Sequence, residues 1–370
     1  MDPGARVVHF VLGNLATHWR DIERLDESDI ARAPRRFVAG RNSWIAQTYV
    51  RLRRLLEASG WTVTIGDSFE PGAIVVVHRD DANDFATCAH ASYLVVVRAD
   101  RAPVAACDLA VVQNRIGNAS HERFIPLWPQ PGLKPRDASR GATIRRIAYY
   151  GRTTSAPAWF SDPAFLRALR HRGIEFDIQE SNWEDYRQVD VAIAAREDSG
   201  ALLSTKPATK VYNAWLAGVP LLAAPEPAYV EVRRGPLDFI EIHDGDEVLA
   251  ALDRLRGDPA LFRAMASHGL ERGREFSVEA TSQRWIELLE GEVLPEFQRR
   301  VGGLAARKLW HLRAMAAQKT LSRMHRARIA YERWSARRAP PPLLSPSRPS
   351  GQRAIDDLAD VTGEPLGAAD

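Results

Sequence analysis

The sequence predicts an α/β protein of two domains in tandem, each built on a parallel sheet, with a helical extension behind them. Three observations predict it. Short β-rich apolar runs alternate with amphipathic stretches, the rhythm of β-α-β units. Several of those runs are apolar on both faces, as strands of a buried parallel sheet must be. A Pro-rich interruption, Ile125-Pro-Leu-Trp-Pro-Gln-Pro-Gly-Leu-Lys-Pro-Arg136, separates one alternation from a second. A chain of 370 residues that is 45% hydrophobic can fill two such cores.

In the first half, strands are expected at Val7 to Leu12, Trp61 to Ile65, Ala73 to His78, Tyr93 to Val97 and Leu109 to Val112. Between the first two, Ile45, Tyr49, Leu52 and Leu56 recur at helical spacing, with Asn42 or Ser43 as cap and Gly60 just past the end. In the second half, strands are expected at Ile147 to Tyr150, Glu175 to Ile178, Val189 to Ala194, Pro220 to Ala223 and Phe239 to Ile242. Helices near Ala164 to His171 and Thr209 to Ala217 end where Gly173 and Gly218 stand, the residue type favoured just past a helix end. Helical patterns continue from Asp246 to Leu289. Beyond Glu296 an Ala/Arg/Leu-rich stretch predicts a helix to about Ser335, and the Pro- and Ser-rich remainder predicts disorder. The domains are therefore set at 1–140 and 141–290, the basic helical extension at 291–338 and the disordered tail at 339–370.

The net charge of +3 hides an asymmetry: Arg and Lys crowd the stretch from Arg299 to Arg338, where Glu332 is the only acid. With Leu304, Leu309, Trp310, Leu312 and Met315 among those cations, the stretch reads as a basic amphipathic helix. Three roles stay open for it: packing back on the first domain, a protein contact, or peripheral contact with an anionic membrane surface. Nucleic acid is not the expected partner. No leader-type segment opens the sequence and no run reaches the roughly 20 apolar residues of a membrane span, so the expected location is cytoplasmic, with the inner face of a membrane left open by the basic helix. Cys88 and Cys107 lack ligand-type spacing and are expected to be reduced, buried and inert.

The most informative stretch is Ser204-Thr-Lys-Pro-Ala-Thr-Lys-Val-Tyr-Asn-Ala-Trp-Leu-Ala-Gly-Val-Pro220. Its turn into a helix gathers free N–H groups and the positive end of a helix dipole. Pro207 holds Lys206 extended just ahead of it. Lys206 and Lys210 can then flank one diphosphate, with Thr209 adding a hydroxyl; the bland reading is a helix start with solvated lysines. The segment resembles the donor-binding motif of GT-B glycosyltransferases, a Lys-Pro-x-x-Lys turn leading to a helix that ends in Ala-Gly-x-Pro. Tyr150-Gly151-Arg152, Ser181-Asn-Trp-Glu-Asp-Tyr186, Val189-Asp-Val-Ala-Ile-Ala-Ala-Arg196 and Pro225-Glu226-Pro-Ala-Tyr229 resemble the same group, in a consistent order over 145–290.

The resemblance implies two Rossmann-like domains facing a cleft and a nucleotide-sugar as co-substrate, with Gly151, Arg152, Lys206, Thr209, Lys210, Asn213 and Glu226 on the donor side. It implies no resident cofactor. Many retaining members carry two acids bracketing the lysine turn; Thr205 and Asn213 stand there, so retention of configuration is not implied. Glu226 is the nearest acid for hydroxyl binding, its bland alternative being a helix cap. No Asp-x-Asp metal motif is read at a strand end, and a metal-independent enzyme is expected. In the first half, Val75-Val-Val-His78-Arg79-Asp80-Asp81 puts a His and two acids at the carboxyl end of a strand, where α/β sheets hold ligands. His78 is the candidate base or a contact to the donor sugar, oriented by Asp80 or Asp81, with a structural histidine the alternative. His18 and Arg79 are the acceptor-side candidates. The acceptor itself is unidentified.

Two other classes stay open: a sugar-nucleotide epimerase on the same fold, and a non-catalytic adaptor binding an anionic partner through the basic helix. A dinucleotide oxidoreductase is disfavoured, because Gly13-Asn-Leu-Ala and Gly151-Arg-Thr-Thr stand where Gly-x-Gly-x-x-Gly would be.

Overall fold

The computed structural model describes residues 6–82, 92–116, 119–198, 200–299 and 303–338. Cys88 and the tail 339–370 lie outside the described residues. The chain divides into two compact units, one of Met1–Lys134, Ser199–Asn213 and Gly273–Glu332, the other of Pro135–Asp198, Ala214–Arg272 and Arg333–Asp370.

The first unit holds a sheet of β1 (Val7–Val11), β2 (Thr62–Gly66), β3 (Ile74–His78), β4 (Tyr93–Val97), β5 (Leu109–Val112) and β6 (Glu122–Phe124). The order is β2-β1-β3-β4-β5-β6 and every pairing is parallel. All residues of β3 and β4 are buried, which is why they read as unbroken apolar runs. At the edge, β2 alternates exposed and buried residues instead. Ile74 and Val76 join the core packed by Tyr49, Leu52 and Leu56, whereas Val75 and Val77 face a separate cluster with Val104 and Cys107. Cys107 is free and buried as expected, and burial pushes its thiol well above its ordinary range.

The helix Gln47–Ala58 begins differently from the sequence expectation. Arg41 is already helical and the π-turn Asn42–Ala46 leads in without a side-chain cap. Asn42 does not cap, because its Oδ1 accepts from Trp19 Nε1 at 3.1 Å and from Asn14 Nδ2 at 3.2 Å. The helix Val278–Leu288, the π-turn Leu289–Val293 and the helix Leu294–Arg299 that follows bring Trp285, Leu289, Val293 and Leu294 into the same core.

The second unit holds β7 (Arg146–Tyr150), β8 (Glu175–Gln179), β9 (Val191–Ala194), β10 (Leu221–Ala223) and β11 (Ile240–Glu241) in the order β11-β10-β9-β7-β8, again all parallel. The helix Pro163–His171 starts on Asp162, whose Oδ1 accepts the Ala164 N–H at 2.7 Å, and presents Phe165 and Leu169 to the core. Asp190 is buried at the amino end of β9, where Arg136 and Arg140 pair with it and the Arg145 and Arg146 N–H groups donate to it. Both units are thus Rossmann-like. Each sheet runs second, first, third, fourth, fifth in its own strand count, the first sheet adding a sixth strand beyond the fifth, which sets the switch point between its first and third strands.

The basic extension is interrupted rather than continuous: Leu294–Arg299 ends one helix, Gly303 has φ +118°, and Leu304–Arg338 forms the next. That last helix docks on the first unit. Arg307 donates to Asp108 and to the Ser92 carbonyl, and Gln318 bonds both the Ala105 N–H and the Pro103 carbonyl.

Candidate functional site

In the first unit, the switch point lies between the carboxyl ends of β1 and β3. Gly13 follows β1, and its N–H donates to Asp81 Oδ2 at 3.3 Å while Arg41 pairs with Asp81 Oδ1 at 2.9 Å. A Cβ on Gly13 would lie 2.5 Å from Asp81 Oδ1, so any side chain there would displace the Asp81 carboxylate from its bonded position. The sequence offered Asp81 beside Asp80 as a residue to orient His78; its carboxylate is instead taken by the Gly13 N–H and Arg41, and it ties the two strand ends together. His18 is exposed nearby in sequence, on the short helix Leu15–His18, with Nδ1 2.6 Å from Thr17 Oγ1.

His78 is completely buried at the end of β3. Its Nδ1 accepts the Asp80 N–H at 3.1 Å, which leaves the ring proton on Nε2, a buried atom with no hydrogen-bond partner among the described residues. In this tautomer His78 is a donor. Acting as a base would require that Asp80 N–H contact to be given up or the proton to move. Burial lowers its pKa from 6.5 to about 4, so the ring is neutral at pH 7. Because the folded value lies below the unfolded one, the unfolded chain takes up this proton first as pH falls. Stability is therefore expected to drop between pH 6.5 and about 4, by about 3 kcal/mol from this group. Urea denaturation across that range should show the slope, and His78→Gln should reduce it, leaving the shares of His9 and His325, whose pKa values burial also lowers, and of carboxylates such as Asp80 and Asp190 that are held below their usual range. An unchanged slope in the variant would rule His78 out as its source.

Arg79, expected beside His78, is turned the other way: it alternates with His78 along the strand, and its Nη2 reaches Ser322 Oγ of the last helix at 3.4 Å. Asp80 is held by Arg101 through two bonds of 2.8 Å, which lower its pKa. Arg101 also pairs with Asp100, and Asp100 Oδ2 in turn accepts from Lys206 Nζ at 2.8 Å. A chain of alternating charges thus runs from Lys206 through Asp100 and Arg101 to Asp80 beside His78. Burial opposes it, but Lys206 and Arg101 hold the Asp100 carboxyl below the usual range.

The lysine turn sits in this first unit because side-chain amides clamp its backbone. Asn114 donates to the Ser204 carbonyl at 2.8 Å and the Lys206 carbonyl at 3.1 Å, and Gln113 donates to the Thr205 carbonyl. The helix Thr209–Leu216 follows, bearing half-buried Thr209 and Lys210. Asn213 is buried with its Oδ1 accepting the Gln130 N–H at 3.0 Å, so that oxygen already has a backbone partner.

In the second unit, the switch point lies between β7 and β9. Gly151 follows β7, where a Cβ would lie 2.8 Å from the Tyr149 hydroxyl. Arg152 next to it is exposed, and Glu180 accepts from the Thr153 N–H at 2.6 Å. Arg196 follows β9 and pairs with Glu226, which follows β10; their side chains are 11% and 2% exposed. Glu226 stands at the start of the helix Pro227–Val232 but does not cap it, its carboxylate being turned to Arg196. The Arg196 guanidinium also lies 5.7 Å from the Tyr229 ring, and burial pushes the neighbouring Tyr149 phenol up to about 12. Arg196 is the residue sequence reasoning left without a role, although a lone cation closing Val-Ala-Ile-Ala-Ala-Arg was the available signal. Tyr186 stacks on Tyr150 at 4.1 Å as a core residue, and Trp183 Nε1 donates to the Gln179 carbonyl.

Asp244-Gly-Asp246, an Asp-x-Asp shortly after β11, is a helix start: Asp244 accepts the Glu247 N–H at 2.9 Å. Among the described residues no group of three or more His, Cys, Asp or Glu is arranged to hold a metal ion.

No family model matches the chain, and no curated protein does. Among solved structures, it is similar to the sucrose-phosphate synthase of Thermosynechococcus elongatus, at 12% identity and a TM-score of 0.48 over 77% of this chain and 98% of that one. It is also similar to a glycosyltransferase from Rickettsia africae, at 9% identity and a TM-score of 0.48 over 81% and 100% of the two chains. Anabaena HepE in complex with UDP and glucose is similar at 12% identity and a TM-score of 0.43, over 77% and 99%. Likenesses at this level assign neither reaction nor substrate.

Proposed function

We propose that the protein is a glycosyltransferase of the GT-B type that moves a sugar from a nucleotide-sugar donor to an acceptor hydroxyl. The observation that carries this reading is the Lys206-Pro-x-x-Lys210 turn leading from an ordered loop into the helix Thr209–Leu216, in a chain with two tandem parallel sheets of the same strand order. Lys206 and Lys210 are the cations assigned to the diphosphate, whose negative charge grows as the glycosidic bond breaks. Thr209 supplies a hydroxyl beside them. The Gly151–Arg152 loop and Glu226, backed by Arg196, are the donor-binding residues of the second unit. On the acceptor side His78, at the end of β3, is the group assigned to proton transfer once its Nδ1 gives up the Asp80 N–H, and Arg101 holds the Asp80 carboxylate beside it. The reaction assigned needs no resident cofactor or metal.

Binding and thermal stabilisation across a panel of nucleoside diphosphates and sugar nucleotides tests the reading. Selective binding of one nucleotide by the wild type, weakened at least about tenfold in both Lys206→Ala and Lys210→Ala, is the expected result. Failure of a folded wild type to bind any of them would sink it. Consumption of a sugar nucleotide with no acceptor present would instead favour an epimerase.

A further inference from the structure

The helix Leu304–Arg338 has two unlike faces. Arg307, His311, Gln318 and Ser322 recur at spacings of four, seven and four residues and turn inward; Arg307 and Gln318 are bonded to the first unit, His311 is buried, and Ser322 accepts from Arg79. On the remaining surface, Leu309, Leu312, Met324 and Tyr331 are 51%, 59%, 63% and 65% exposed. Exposed Lys308, Arg313, Lys319, Arg323 and Arg326 lie among them. The helix has a single acid, Glu332, and it is engaged by the Ala201 N–H and by Arg328. A docked helix therefore keeps a long outer surface of one charge sign with aliphatic side chains set into it.

We propose that this outer face lies on an anionic lipid surface. The charge is complementary to acidic headgroups, and the aliphatic side chains have a use there that they lack elsewhere. Leu309 and Leu312, one turn apart, enter the headgroup and acyl boundary, while the flanking cations meet phosphates. From Leu309 to Tyr331 the helix extends about 33 Å, a length suited to a flat surface. Nucleic acid would satisfy the cations but leave Leu309, Leu312 and Met324 in water. No described helix is long and apolar enough to cross a membrane, so the contact is a lateral one.

Cosedimentation of the full chain with vesicles of phosphatidylcholine, with and without phosphatidylglycerol at about a third of the lipid, is the test. The protein should bind the anionic vesicles at least about tenfold more tightly than the neutral ones, and the binding should weaken with added salt. Two variants should each lose about tenfold: Leu309→Ser with Leu312→Ser, and Lys308→Gln with Lys319→Gln and Arg326→Gln. All these side chains are exposed, and an unchanged melting temperature would show that the variants fold. Absence of binding to anionic vesicles overturns the proposal. So does loss in the charge variant alone with equal affinity for a single-stranded RNA, which would mark a general polyanion surface.

Discussion

Arg196→Ala is expected to lower the unfolding free energy by about 3–5 kcal/mol, the range for removing one partner of a buried ion pair. Glu226 is 2% exposed and Arg196 11%, so the carboxylate left behind cannot recover its hydration without opening the loops after β9 and β10. Tyr229 beside it offers a phenol but no charge, and burial raises its pKa far above the ordinary value. Replacing both partners by apolar residues of similar volume, Arg196→Met with Glu226→Leu, should recover most of the loss, because no charge then remains to be buried. Chemical denaturation of the three proteins measures this directly. The double variant also separates stability from binding: a folded protein that no longer binds the nucleotide would place the pair in the donor site, whereas retained binding would make it purely structural. A loss below about 1 kcal/mol in Arg196→Ala would mean that Glu226 reaches water more easily than its burial indicates.

Asp100→Asn is expected to tighten nucleotide binding by about tenfold, the opposite direction to Lys206→Ala. Lys206 Nζ has an anionic partner in Asp100 Oδ2 at 2.8 Å, and a diphosphate has to displace it. A charge-assisted bond to a partly exposed pair contributes on the order of 1–2 kcal/mol, which the ligand would no longer have to overcome. Asp100 also neutralises Arg101, but Arg101 keeps Asp80 through two bonds, so the substitution leaves that arm in place. Titration calorimetry on both variants and their combination distinguishes the outcomes. If Asp100 acts only through Lys206, the double variant should match Lys206→Ala. Weaker binding in Asp100→Asn would show instead that the carboxylate belongs to the nucleotide site.

Much of the fold was legible because its strands are short, buried and apolar. Tyr93–Val97 and Leu109–Val112 are found where the sequence puts them, and the other expected strands shift by only one or two residues at their ends. β6 was not legible: Glu122–Phe124 is three residues long, half-buried and two-thirds charged, and it exists by pairing with β5. The helix entry at Asn42 was misread since the amide has a better use holding Trp19 and Asn14 than capping. Residue types alone located the strand-end loops, where ligands bind in this class of sheet, but they could not supply partners distant in sequence. Asp100 and Lys206 are 106 positions apart, and nothing local in either foretells the pairing. The opposite facing of His78 and Arg79, by contrast, was available from strand alternation alone.

The route of the chain through its two units has a consequence for synthesis. All six strands of the first sheet have left the ribosome by Phe124, yet Trp285, Leu289 and Val293 of its core, and the helix anchored at Asp108 and Ala105, belong to 273–332. The second unit takes its whole sheet from residues before Arg272. A nascent chain at that length thus carries a complete later sheet and an earlier one still missing its closing helices, so the part begun first is the part finished last.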